Sequence, residues 1–380
     1  MSWNWQLAEW PRFYWDRERL ATAEILFAEC SGIAVGASKH LSDSDREALR
    51  IEMMSHEAID TSAIEGEMLD RESVQSSIRR HLGLNSDQRR IAPAEAGIAE
   101  VMIDLYNRVS EPVTEGSLHG WHRSIMRGRA DLADIGRYRT GGDPMQIVSG
   151  PIGRPRVHFE APPAADVPEH MKTFVSGLAR SAPSGPSPLP PLTRAGLAHI
   201  WFESIHPYED GNGRIGRAIS EKLLAQERPT TVLTGISGAL LLHRKAYYAA
   251  LERAHSDLDI TEWLLWFGAK AIEAQRRTLQ LVDFVLAKAR LMNSLHGLIN
   301  ARQERVLLRM FNAGPAGFRG GLSAANYMSI TGAPTATTTR DLSTLVAMGA
   351  LLRTGNLKST RYQLNIDLAP VNAVDVSEIS

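Results

Sequence analysis

Apolar residues recur at three- and four-residue intervals, with no interior proline, over Arg17 to Val35, Asp43 to Ile64, Ala94 to Val109, Leu192 to Ile205, Ile215 to Gln226 and Thr261 to Leu295. That spacing gives a helix one apolar face, so the chain is expected to be mainly α. Strand-like runs are few. The best are Met145-Gln146-Ile147-Val148 and Arg156-Val157-His158-Phe159, on either side of Ser149-Gly150-Pro151-Ile152-Gly153-Arg154-Pro155; this predicts a β-hairpin, here called the flap. A Pro/Ser/Gly tract from Ser181 to Pro191 interrupts the helical pattern, which resumes at once, so it reads as a loop and not a boundary.

The last part of the chain changes character. Glu304 to Phe311, Ser323 to Ser329 and Thr337 to Met348 read as three helices. Leu351-Leu352-Arg353-Thr354 and Arg361-Tyr362-Gln363-Leu364 follow, flanking a Gly355-Asn356 turn. Three helices and a hairpin are the order of a winged helix, with Thr337-Thr338-Thr339-Arg340 at the start of its recognition helix. Such modules bind DNA or protein. With Arg340, Arg353, Lys358 and Arg361 as the cations of this stretch, DNA is the less favoured partner.

Composition narrows the classes. A chain of 380 residues is long enough for two or three units. Lys+Arg of 42 against Asp+Glu of 43 gives no global field toward nucleic acid or anionic membrane. Cys30 is the single cysteine, which excludes an intramolecular disulfide and fits a reducing cytoplasm. Met1-Ser2-Trp3-Asn4-Trp5-Gln6 lacks the basic and apolar regions of a signal peptide. The apolar run Trp263 to Phe267, bounded by Glu262 and Lys270, is too short to span a bilayer. No membrane partner is expected.

The stretch richest in chemistry is His206-Pro207-Tyr208-Glu209-Asp210-Gly211-Asn212-Gly213-Arg214-Ile215-Gly216-Arg217. Pro207 disfavours helical geometry at His206, so the preceding helix should stop there and present the imidazole at the lip of a loop. Gly211 and Gly213 let the backbone turn with its N–H groups converging, and a new helix begins at Ile215. A glycine loop leading into a helix N-terminus is a ready anion site. Arg214 and Arg217, three apart on one face, can grip successive phosphates of a polyphosphate. Asp210 supplies a hard oxygen of the kind magnesium takes when phosphates hold it too.

These twelve residues match the signature of the Fic family; the one departure is Tyr208, where the family usually has phenylalanine. The resemblance covers Val113 to Ile272. It implies a helical core around the loop, with Ile147, Val148, Ser149 and Gly150 of the flap holding a target segment as an added strand, and with Tyr247 and Tyr248 facing the adenine. His255 stands where relatives often place an adenine-contacting asparagine. On this basis the chain divides into an N-terminal helical unit (1–112), a Fic domain (113–272), a connecting helix (273–300), a winged-helix-like domain (301–366) and a tail (367–380).

Upstream, Thr61-Ser62-Ala63-Ile64-Glu65-Gly66 resembles the inhibitory motif of Fic proteins, Ser/Thr followed four residues later by Glu and then Gly or Asn. A helix ending at Gly66 could deliver Glu65 to Arg217 as a bidentate pair and occupy the fork meant for the γ-phosphate. Trp3, Trp5, Trp10, Phe13, Tyr14 and Trp15 are expected to pack as the core or dimer contact of the N-terminal unit. His122 and Arg123 have no partner at metal-ligand spacing, and no zinc is assigned.

The resemblance implies transfer of AMP from ATP to a Ser, Thr or Tyr hydroxyl of a target protein. His206 would be the general base, since an imidazole titrates near neutral pH. Asp210 would hold Mg²⁺ against the α and β phosphates, Gly211, Gly213 and the Asn212 side chain would cradle oxygen charge, Arg214 would clamp β and Arg217 γ. Some members also remove AMP, and a homodimer is expected. The competing reading is a DNA-binding regulator in which the winged helix is the active part and the loop senses nucleotide.

Overall fold

The computed structural model describes residues 2–87, 89–149, 156–226, 234–315, 317–318 and 320–379, the side chain of Lys358 excepted. Gly150 and the flap turn through Pro155 lie outside the described residues. The chain is mostly helical. In order it forms α1 (Arg17–Ser38), α2 (Asp43–Ile64), α3 (Arg71–His81), α4 (Pro93–Asn107), α5 (Glu115–Ile125), β1 (Gln146–Ser149), β2 (Arg156–Glu160), α6 (Val167–Arg180), α7 (Pro191–Ile205), α8 (Asn212–Gln226), α9 (Ile236–Leu242), α10 (Arg244–Ala254), α11 (Thr261–Ser294), α12 (Ala301–Phe311), α13 (Ala324–Thr331), α14 (Thr335–Ala347), β3 (Leu351–Thr354) and β4 (Arg361–Leu364). Among the described residues the only sheets are the antiparallel pairs β1–β2 and β3–β4.

Six helices and both hairpins lie where the apolar spacing put them. Five further helices, α3, α5, α6, α9 and α10, were not expected. The inward face of α3 buries Ser73, Ser76 and Ser77 beside Val74 and Ile78, α5 interrupts its pattern with glycine and histidine, and α9 has only seven residues. The stripe of α6, Val167, Met171, Phe174 and Leu178, does follow helical spacing and was readable.

Two compact units form: Met1–Ser38, Arg50–Thr278 and Asn372–Ser380 in one, Lys39–Leu49 and Leu279–Val371 in the other. In the first, α7 and α8 are buried almost throughout and form the centre on which the other elements pack. Glu24 of α1 accepts the Leu192 and Thr193 N–H groups at 3.2 and 2.8 Å, capping the N-terminus of α7, where Pro190 offers no side-chain cap. By length and composition α1 is apolar enough to cross a bilayer; here Leu20, Ala23, Phe27 and Ala34 are buried in this unit.

The N-terminal aromatics pack on this same unit. Trp3 meets Phe159 of the flap edge-on at 5.4 Å, the Trp5 indole N–H donates to the Glu160 carbonyl at 2.6 Å, and Phe13 lies 6.2 Å from Trp201. Asn4, fully buried, donates to Ser204 Oγ of α7 at 2.8 Å. The segment therefore braces the root of the flap.

The second unit has its own core, with Leu295, Val306, Leu307, Met310, Leu322, Tyr327, Leu342, Leu345 and Leu351 buried together. Leu322 exchanges both backbone hydrogen bonds with Tyr362 of β4, at 2.8 and 2.9 Å, adding a one-residue third strand to the hairpin.

Candidate active site

The site begins where α7 stops. The His206 N–H still donates to Phe202 O at 2.9 Å, but the residue turns left-handed, φ 48 and ψ 62. For a residue with a Cβ that conformation costs of the order of 1–3 kcal/mol and needs support. Arg139 supplies it: Nε donates to His206 O at 2.9 Å, the Arg139 backbone N–H to Pro207 O at 2.9 Å, and Nη2 to Pro162 O at 2.5 Å. Arg139 is 5% exposed and was not singled out from the sequence; nothing in its local pattern marks it.

The His206 side chain is only 12% exposed, deeper than the lip expected for it. Burial, reinforced by the Arg139 charge, lowers its pKa to about 4, so the imidazole is neutral near pH 7 and a weaker base than a free imidazole. Its Nδ1 stands 3.7 Å from Glu203 Oε2. Glu203 is itself buried, which raises its pKa to about 8 despite the opposing Arg217 charge. Glu203 also escaped sequence reasoning.

The Asn212 side chain accepts the Tyr208 N–H at 3.0 Å and donates to Tyr208 O at 2.8 Å. These two bonds brace the turn and leave the amide a second N–H. Tyr208 is fully buried, stacked on His122 at 4.1 Å, with its hydroxyl hydrogen-bonded to His119 Nδ1 at 3.1 Å. His122 accepts the Gly136 N–H at Nδ1 and donates from Nε2 to Asp210 O at 3.2 Å. Burial lowers its pKa to about 4, which suits that single-proton tautomer. Its task is to hold the Asp210 turn.

The glycine turn, the start of α8 and both arginines lie together. Gly211 has φ +80, and α8 starts at Asn212, so its first N–H groups face the cleft as an anion site. Arg214 and Arg217 are 7% and 1% exposed. Arg217 Nη2 donates to Glu65 Oε1 at 2.7 Å and to Thr61 O at 2.9 Å, and Nε donates to Thr61 Oγ1 at 2.7 Å. The Glu65 carboxylate also lies directly over Gly213, where any Cβ would strike Oε1. The Glu65 carboxylate thus lies beside the start of α8.

A second carboxylate arrives with it. α2 ends in a Schellman motif: the Glu67 N–H donates to Ser62 O at 3.0 Å, the Gly66 N–H to Ala63 O at 3.0 Å, and Gly66 has φ +86. This compact stop places Glu65 and Glu67 on the same side, and Glu67 Oε2 accepts from Arg214 Nη1 at 2.7 Å. The pairing was missed; the helix-stop glycine between two glutamates was its signal. Asp210 Oδ2 meets Arg129 Nη1 at 2.6 Å, its side chain 39% exposed. Glu65, Glu67, Arg129, Asp210 and Arg214 line a cleft of ≈ 540 Å³.

The flap and the tyrosines are less uniform. β1 is exposed along its length and pairs with β2 through Ile147↔Phe159, Val148↔Val157 and Ser149↔Arg156, with a bulge between Ile147 and Val148. Glu252 of α10 holds β2 through Arg156 at 2.6 Å and His158 at 3.2 Å. Tyr248 is 40% exposed and its hydroxyl donates to Ile64 O at 3.3 Å. Tyr247, by contrast, is 1% exposed, hydrogen-bonded to His199 Nε2 at 2.7 Å and stacked on Trp266, so its ring packs in the core. His255 is likewise buried, stacked 4.0 Å from Phe159, and roots the flap.

Residues 112–224 match the Fic/DOC family, and residues 3–84 match a domain of unknown function, DUF4172. Residues 112–224 are thus similar to a Fic domain. The chain is 29% identical over 112 residues to a probable protein adenylyltransferase of Aquifex aeolicus, covering 30% of this chain. It is 25% identical over 179 residues, 47% of its length, to the protein adenylyltransferase fic-1 of Caenorhabditis elegans. These matches span about three tenths of the curated relatives' own lengths, 31% and 30%. A Fic family protein of Desulfovibrio desulfuricans shares the fold across 93% of this chain and 98% of its own, with a TM-score of 0.55 at 23% identity. A Fic domain containing signaling protein of Bacteroides thetaiotaomicron covers 69% of this chain and 97% of its own, with a TM-score of 0.52 at 16% identity.

Proposed function

We propose that this Fic protein transfers AMP from ATP to a hydroxyl of a target protein and holds itself inactive through Glu65. The observation that carries the reading is the pair of buried arginines, Arg214 and Arg217, each paired with a carboxylate from the end of α2. Two forks and a helix N-terminus that attract carboxylates in the resting chain have the charge and spacing for successive phosphates.

In the reaction the target oxygen attacks the α-phosphorus, the bond to the bridging oxygen breaks, pyrophosphate leaves, and the hydroxyl proton passes to His206. The α8 N-terminus and Gly213 stabilise charge on the α-phosphate oxygens, Arg214 the β and Arg217 the γ. Among the described residues no three His, Cys, Asp or Glu side chains gather to hold a metal. Asp210 alone, with phosphate and water oxygens, fits magnesium, which keeps most of its ligands outside the protein. When bound, the ion would neutralise phosphate charge as pyrophosphate departs. Arg129 must first release Asp210. The exposed edge of β1 would hold the target as an added strand. The same Glu65, positioning water at the phosphorus, would assist removal of AMP. The proposal includes a homodimer, for which Ile25 and Ile33, 60% and 59% exposed on α1, offer apolar surface.

Incubation with each labelled nucleotide and Mg²⁺, followed by mass spectrometry of the modified residue, tests the reading. His206→Ala should abolish transfer with ATP affinity within a few fold of the parent, and Asp210→Ala should remove activity together with magnesium dependence. Loss of ATP binding in His206→Ala, or full activity in Asp210→Ala, would overturn these assignments. Light scattering at micromolar concentration tests the dimer.

A further inference from the structure

The module from α12 to β4 plays no part in the chemistry above. Helix α13 closes on Gly332, φ +70, whose N–H donates to Met328 O at 2.7 Å. Ala333 and Pro334 follow, and α14 starts at Thr335. Two helices joined by a three-residue turn containing glycine make a helix-turn-helix, in which the second helix reads the major groove.

The two faces of α14 differ sharply. Thr338, Asp341, Leu342 and Leu345 are buried, while Thr335, Ala336, Thr339, Arg340 and Ser343 are exposed. Asp341 is the helix's only acid, and it is removed from the outer face. It pairs with Arg302 Nε at 3.0 Å and accepts from Tyr327 Oη at 2.9 Å and Asn300 Nδ2 at 3.2 Å. What remains outside is a row of hydroxyls and methyls around one guanidinium, the groups that meet base edges and thymine methyls. Arg353 is exposed on the neighbouring hairpin. Among the described residues neither Arg340 nor Arg353 has an acidic partner.

Charge supports the same occupant. Between residues 301 and 366 the sequence holds eight Lys or Arg against two Asp or Glu, whereas the rest of the chain holds 34 against 41. Counting four cations against a neutral chain understated this local excess. One of the two acids, Asp341, is buried and neutralised. The exposed start of α14 also lacks the aromatic anchors that dominate protein interfaces; the exposed large apolar residues of the module, Leu308, Met348, Leu352 and Leu357, lie outside it.

We propose that this module binds duplex DNA, with the exposed face of α14 in the major groove and the β3–β4 hairpin, through Arg353, against the phosphate backbone. The binding does not depend on the AMP-transfer reading. The test is fluorescence anisotropy of the full-length protein with a labelled random-sequence duplex of about 30 base pairs, at salt from about 50 to 300 mM. Saturable binding is expected, with log K falling linearly against log salt at a slope of about −0.9 per phosphate neutralised. Arg353→Gln should weaken binding several-fold and reduce the slope by about one, and Arg340→Gln should weaken it at least as much. The double charge reversal Arg340→Glu with Arg353→Glu should abolish it, with thermal unfolding unchanged because both side chains are exposed. His206→Ala should bind as the parent does. Absence of binding at the lowest salt, or binding that neither the neutral variants nor the reversal alters, overturns the proposal, and absence leaves the face to a protein partner.

Discussion

Replacing Glu65 probes the link between the resting structure and the proposed reaction. Its carboxylate sits 2.7 Å from the guanidinium of Arg217, which is 1% exposed, while the glutamate side chain is 32% exposed. Opposite charges about 4 Å apart attract by about 4 kcal/mol at an effective dielectric near 20. Partial exposure of Glu65 reduces that figure, and a usable range is about 2–3 kcal/mol of competition against an incoming γ-phosphate. Because each 1.4 kcal/mol is tenfold, Glu65→Gly should raise AMP incorporation by roughly 30- to 150-fold. Clearing the carboxylate from Gly213 adds to this by letting the α-phosphate settle in line with the nucleophile. The assay is transfer of label from ATP into protein at matched magnesium, with Glu65→Ala beside Glu65→Gly to separate charge from backbone freedom next to Gly66. Arg217→Ala should not reproduce the gain, since it removes the clamp with the lock, and combining it with Glu65→Gly should largely cancel the increase. Equal transfer by the parent and both Glu65 variants would refute the reasoning.

Glu67→Gln should tighten ATP binding severalfold, because Arg214 would lose its resting partner at 2.7 Å; calorimetric titration that gives the parent's affinity would show that Glu67 does not compete for that fork. Burial raises the Glu203 pKa from 4.5 to about 8, so the folded chain holds a proton that the unfolded chain releases. The resulting stability is fully present below about 4.5 and is lost as the pH rises through about 8, at up to about 1.4 kcal/mol per pH unit. Urea unfolding of Glu203→Gln should therefore lack that component of the decline between those limits, and a pH dependence identical to the parent's would exclude it.

Much of the fold and the loop was legible in sequence because the causes are local. Apolar spacing gave α1, α2, α4, α7, α8 and α11. Pro207 and the glycines stop one helix and start another within a few residues, whatever surrounds them. Gly66 ends α2 by the same local chemistry, while the pairing of Glu65 with Arg217 was expected from the resemblance of Thr61 to Gly66 to an inhibitory motif. The charge of the last module was also written in the sequence, once counted over its own residues.

Other features depend on residues far apart in the chain, and only packing decides them. Arg139 reaches His206, Pro207 and Pro162 through three hydrogen bonds, yet its neighbours carry no pattern that announces a backbone support. Glu203 and His206 lie three residues apart, but their shifts in opposite directions come from the low-dielectric interior that surrounds both. Tyr247 and Tyr248 are adjacent and chemically alike; α10 turns one into the aromatic core and the other toward the end of α2. Asn212 is tied to the loop through two hydrogen bonds to the Tyr208 backbone, which only the folded turn brings within reach. Sequence sets which groups a short segment can offer. Burial and long-range partners decide which of those groups remain free to act.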